Sequence, residues 1–82
     1  MKSKILFVNH KHDSKQELTM ALSREYEVIN ATDAYQALAF LENDHDNIKV
    51  MILELLLPKM SGLELLQKIR SNNLYRSLVI LV

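Results

Sequence analysis

Val50-Met-Ile-Leu-Glu54-Leu-Leu-Leu-Pro58-Lys-Met-Ser-Gly62 decides how the rest of this 82-residue chain is read. Four apolar residues run into a carboxylate, three leucines follow, and then come the only proline and the only glycine of the sequence. An unbroken apolar run bounded by turn residues reads as a strand buried on both faces, as in parallel sheets. A buried helix segment has a similar composition, but four residues are few for a helix and Pro58 limits its continuation. A central strand is therefore expected from Val50 to about Leu55. Glu54 then lies at its carboxyl end, where open α/β sheets place their ligand sites.

Outward from this stretch the chain alternates. Lys4-Ile-Leu-Phe-Val8 is a second apolar run of strand type, followed by the polar segment Asn9-His-Lys-His-Asp13. Ser14 and Glu17 have capping-box spacing, with Leu18, Ala21 and Leu22 on one helical stripe. Tyr26–Asn30 is a shorter, more polar strand suited to a sheet edge. Asp33 with Gln36 starts the next helix, whose buried face is expected to be Ala34, Ala37, Leu38 and Leu41, with Phe40 at its border. After Pro58, Ser61 and Glu64 form another capping box, and Leu63, Leu65, Leu66 and Ile69 are expected to face inward. Ser71-Asn72-Asn73 stops that helix, and Leu78–Val82 is a last, wholly apolar strand.

This alternation implies an α/β fold, a parallel sheet with right-handed crossovers and three helices. In the flavodoxin-like order 2-1-3-4-5 the switch point falls between the first and third strands, which brings Asn9 and His10 to the same crevice as Glu54.

The composition narrows function by exclusion. Ten basic and ten acidic side chains balance, so no general attraction to nucleic acid or anionic membrane is expected. There are no cysteines, hence no disulfide or thiolate metal site, and an intracellular home is compatible. No apolar stretch approaches the ~18 residues of a membrane span, and a cytoplasmic location is the plain expectation. A dinucleotide-binding or P-loop enzyme needs a glycine-rich turn after the first strand, but the one glycine is Gly62. No serine stands in a G-x-S-x-G elbow. The cluster Glu42-Asn-Asp-His-Asp-Asn47 reads as solvated charge rather than a metal site.

The central stretch resembles the receiver domain of two-component response regulators, whose pattern is close to "D-x-x-M/L-P-x-M-D/S-G". That resemblance implies the receiver-type strand order 2-1-3-4, with residues 1–82 forming one domain, the amino-terminal part of the full fold. It puts Glu54 where the family has its phosphoacceptor aspartate, and Asn9 and His10 where it has the acid pair that holds magnesium. Neither Asn9 nor His10 supplies an anionic oxygen, so the magnesium site is expected to be lost. The longer Glu54 side chain displaces its oxygens by roughly 1–1.5 Å, which catalytic geometry tolerates badly. The family's hydroxyl residue after the fourth strand and lysine after the fifth would both come beyond Val82.

The resemblance thus implies a non-catalytic pseudo-receiver in two-component signalling, bound to a histidine kinase, an output domain or another regulator. The alternatives are an interaction or structural module without a signalling role, or a fragment of a longer response regulator. For the crevice, Glu54 can imitate an acyl phosphate, whose charge of about −2 it copies only in part. It can instead pair with His10 or a nearby lysine and do nothing further. In a third reading, His10, His12 and Glu54 hold zinc or nickel. An apolar edge at Leu78–Val82 carries no charge or proline to protect it, and self-association of the chain through that strand is expected.

Overall fold

The computed structural model describes residues 3–10 and 16–82. Among these, four strands and three helices alternate: β1 Lys4–Val8, α1 Gln16–Leu22, β2 Glu27–Ala31, α2 Ala34–Asp44, β3 Ile48–Leu53, α3 Gly62–Arg70 and β4 Val79–Leu81. A short 3-10 turn, Asn73–Tyr75, separates α3 from β4. All strand pairs are parallel and the order is β2-β1-β3-β4. The expected flavodoxin-like topology is therefore the one adopted, with the more polar β2 at one edge.

The register assigns each side chain to a face, because successive strand residues point to opposite sides. Leu6 stands beside Met51 and Val8 beside Leu53. These four join Ala34, Ala37 and Leu41 of α2, and Leu65 and Ile69 of α3, in one buried cluster. The opposite face carries Ile5 beside Val50 and Phe7 beside Ile52. Ile5 and Phe7 are buried, whereas Val50 and Ile52 are only half-buried. Both β1 and β3 have a strand on each side, but β1 is the one buried on both faces, because the face of β3 that carries Val50 and Ile52 is only half-buried.

Two expectations about helical faces need correction. Leu63 is exposed, because the face of α3 that meets the sheet is centred on Leu65 and Ile69, with Leu66 half-buried beside them. Ala21 is also exposed, and Leu22 is half-buried. Ser14 and the Leu18 side chain lie outside the described residues. The expected strand at 50–55 begins two residues earlier, at Ile48, and stops at Leu53. Similarly, β4 is shorter than Leu78–Val82: Leu78 is buried just ahead of it, while Val79 and Leu81 are exposed.

At the amino-terminal end of the sheet, the Lys4 ammonium is paired with Asp44 at the end of α2 and lies 3.8 Å from Glu27 of β2. The Asp44 carboxylate also accepts from the Asn47 side-chain amide. These contacts tie the start of β1 to the end of α2, opposite the crevice. His45 meets the buried Tyr75 edge-to-face, with ring centroids 5.9 Å apart, so it packs in the structure instead of standing free in a polar loop.

Candidate functional site at the carboxyl ends of β1 and β3

The hydrogen-bond ladder does not stop where the strands do. The Asn9 N–H donates to the Ala31 carbonyl at 3.0 Å, and the Glu54 N–H donates to the Val8 carbonyl at 3.0 Å. The backbone just past β1 and just past β3 is thus pinned to the sheet, and residues 9, 10 and 54 are delivered to one crevice. Sequence order predicted this meeting point from topology alone.

Within the crevice Glu54 reaches back to the loop after β1. Its Oε2 accepts from the His10 N–H at 3.2 Å and lies 2.9 Å from His10 Nδ1. Both side chains are about one-third exposed. An exposed His–carboxylate pair contributes on the order of 0–1 kcal/mol, so its effect is mainly to fix where the two groups sit. Of the partners expected for Glu54, His10 is found among the described residues. Lys59, five residues further on, goes elsewhere.

Lys59 lies in the loop between β3 and α3 with φ 70°, in the left-handed region. A non-glycine residue there sacrifices roughly 1–2 kcal/mol. Its Nζ is 3.3 Å from Asp33 Oδ2. Asp33 is the buried N-cap of α2 and accepts the Gln36 N–H on Oδ1 at 2.9 Å. Gln36 does not close the expected reciprocal box onto Asp33. Its side-chain oxygen accepts instead from the N–H and hydroxyl of Thr32. The cap was visible in the sequence; the Lys59 contact was not, since it joins residues from separate loops.

The Gln36 N–H, followed by Lys59, holds the Asp33 carboxyl below its ordinary range against the opposing effect of burial. Lys4 and then Asn47 do the same for Asp44. Carboxyls depressed in the folded state stabilise it above their unfolded pKa of ~3.9 and lose that contribution as pH falls through the folded value. The urea midpoint is therefore expected to hold near neutrality and to fall as pH is lowered below about 4. The variants Asp33→Asn and Asp44→Asn should each flatten that acid slope. An unchanged slope in both variants would refute the assignment.

Gly62 closes the loop. Its N–H donates to the Leu55 carbonyl at 2.8 Å. A Cβ at this position would lie 2.4 Å from the Glu54 carbonyl oxygen and 2.6 Å from Leu55 Cα. The start of α3 therefore touches the backbone that carries Glu54. Ser61 caps α3, accepting the Glu64 N–H at 3.2 Å, as its spacing predicted.

The crevice does not provide a magnesium site among the described residues. Its donors there are one carboxylate, already bonded to His10, with an amide and an imidazole beside it, whereas magnesium takes hard oxygen donors in octahedral array. No group of three or more metal-ligating side chains occurs among the described residues. His12, the third member of the zinc or nickel reading, lies outside them.

Comparison with known proteins follows the same geometry. Residues 5–82 match the response regulator receiver domain family. A two-component response regulator-like protein of rice, PRR37, is 32% identical over 81 residues, covering 96% of this chain and 11% of its own. A second rice protein of that description, PRR73, is 32% identical over 72 residues. Among solved structures, the Vibrio cholerae chemotaxis response regulator CheY4 superimposes with a TM-score of 0.85 at 27% identity, over 98% of this chain and 66% of that one. The signal receiver domain of an HD domain-containing protein from Pseudomonas fluorescens gives a TM-score of 0.83 at 31% identity, over 98% and 62%. The chain spans about a tenth of the length of the rice relatives and under two-thirds to two-thirds of these solved chains.

Proposed function

The chain belongs to the response regulator receiver family, and on that premise we propose that it is a pseudo-receiver. It would serve two-component signalling by binding a protein partner, without accepting a phosphoryl group and without enzymatic turnover. The observation that carries this reading is the Glu54–His10 pair. At the end of β3, the position that the resemblance assigns to the phosphoacceptor, a carboxylate is engaged by a backbone N–H and an imidazole. Asn9 and His10, at the positions of the family's acid pair, add no negative charge with which to gather magnesium. The partner would be a histidine kinase, an output domain or another regulator. No helix among the described residues is long and apolar enough to cross a membrane, and a cytoplasmic setting accords with this role.

Acetyl phosphate with millimolar magnesium is expected to leave the intact mass unchanged and the thermal midpoint unmoved, since a ligand stabilises only by binding the native state. A phosphoryl adduct on Glu54 in the mass spectrum would end the pseudo-receiver reading. Where the Glu54 charge shapes the binding surface, Glu54→Gln should weaken capture of the cognate kinase or output domain while the circular dichroism spectrum stays that of the parent.

A further inference from the structure

Lys59 is held in an unfavourable conformation, and the structure provides a reason for it to stay there. The loop from Glu54 to Ser61 begins at the crevice and ends at the cap of α3. Within it, the Met60 N–H donates to the Pro58 carbonyl and the Gly62 N–H to the Leu55 carbonyl, so the loop has internal bonds but turns through the left-handed Lys59. From that turn the side chain crosses to the β2–α2 connection, where its ammonium meets Asp33. The Asp33 side chain is 10% exposed and the Lys59 side chain 66%. The acid is thus fixed by its capping bond to Gln36, and the mobile partner is the lysine. β1 lies between the strands that feed these two loops, so the ion pair spans the carboxyl end of the central strand.

We propose that the Lys59–Asp33 pair is a conformational latch that couples the loop after Glu54 to the first turn of α2. With the latch closed, the loop keeps its left-handed turn and the Asp33 carboxylate keeps both partners. With it open, Lys59 is released to relax to an ordinary backbone conformation, and α2 retains its cap but loses the charge opposite it. A change at Glu54 would then be felt at α2, two loops away. This device rests on packing and charge within described residues, not on whether the crevice can be phosphorylated.

The test is hydrogen exchange by NMR on the whole 82-residue chain, reading the Met60, Gly62 and Gln36 amides. Lys59→Met keeps the aliphatic stem and removes the charge; Asp33→Asn keeps a capping acceptor and removes the acid. Each is expected to speed exchange at Gly62 and Met60 by about two- to fivefold, and to shift the Gln36 resonance. The double variant should be no faster than the faster single one. Lys59→Arg should restore parental exchange, which a role for the backbone turn alone does not predict. Parental exchange in Lys59→Met, or effects that multiply in the double variant, would overturn the latch. Because Lys59 is largely exposed, the Lys59 variants test the latch without disturbing the core. They leave the phosphorylation experiment to stand or fall separately.

Discussion

Gly62→Ala is expected to be the most damaging small substitution in this chain, although at an ordinary helical position it would help. Glycine to alanine usually favours a helix by about 1 kcal/mol, and Gly62 is not at positive φ, so backbone freedom is not what the position requires. The requirement is space. The added methyl carbon would sit 2.4 Å and 2.6 Å from backbone atoms of Glu54 and Leu55, which cannot swing aside as a side chain could. Either α3 lifts from the end of β3, disturbing Leu65 and Ile69 in the core, or the Glu54–Leu55 backbone leaves the ladder bond to Val8. Overpacking of this kind costs about 1–3 kcal/mol and sometimes more. A domain of this size has only about 4–12 kcal/mol in total. The thermal midpoint should fall by about 10 °C or more, and the His10 and Glu54 resonances should shift with it. A midpoint within a degree or two of the parent would show that β3 and α3 do not approach as described.

The second large effect is a gain. Asn9→Asp, His10→Asp and Glu54→Asp together should create magnesium binding where none is expected of the parent. Three carboxylates would then converge at the ends of β1 and β3, and hard oxygen anions are the donors that magnesium takes. The same convergence should destabilise the metal-free triple variant by mutual repulsion and raise at least one of the carboxyl pKa values. Added magnesium should then lift its thermal midpoint while leaving the parent's in place. Calorimetric titration beside chemical-shift changes at positions 9, 10 and 54 reads both results. A folded triple variant that ignores magnesium would mean these three positions do not form the crevice, and the equivalence of Glu54 to the phosphoacceptor would have to be withdrawn.

Much of this architecture could be read before any coordinates, and the failures have identifiable causes. Lys4–Val8 was read to the residue, because a basic start and a polar loop bound a pure apolar run. Asp33 and Ser61 were read as caps because capping is local chemistry, settled within three residues. Alternation implied the parallel sheet, the flavodoxin-like resemblance its order, and the meeting of His10 with Glu54 followed from that order. Helical phase was harder. In α3, leucines at 63, 65 and 66 offer competing stripes, and only packing against the sheet selects Leu65 and Ile69 while leaving Leu63 outside. The start of β3 was missed because Lys49 is a charged residue inside the strand with its side chain outward. The left-handed Lys59 left no local signal, since glycine or asparagine would have been the expected residue there. Its partner Asp33 lies on another connection altogether.

The position of β1 between β2 and β3 also bears on the order of events as the chain leaves the ribosome. Of the described strands β1 comes first in chain order and needs a partner on both flanks, yet Ile5 finds one partner at Val28 and the other only at Val50. Until Leu53 is available, Ile5, Leu6, Phe7 and Val8 have no complete shelter. Parallel pairings across such separations pay their loop-closure entropy before any contact rewards them. A nascent chain halted before β3 therefore displays its most apolar strand half-covered, the kind of surface that chaperones engage and that aggregates at high concentration. The residues that bring Glu54 to His10 are the same ones that end this exposure, so the crevice is assembled in the step that covers β1.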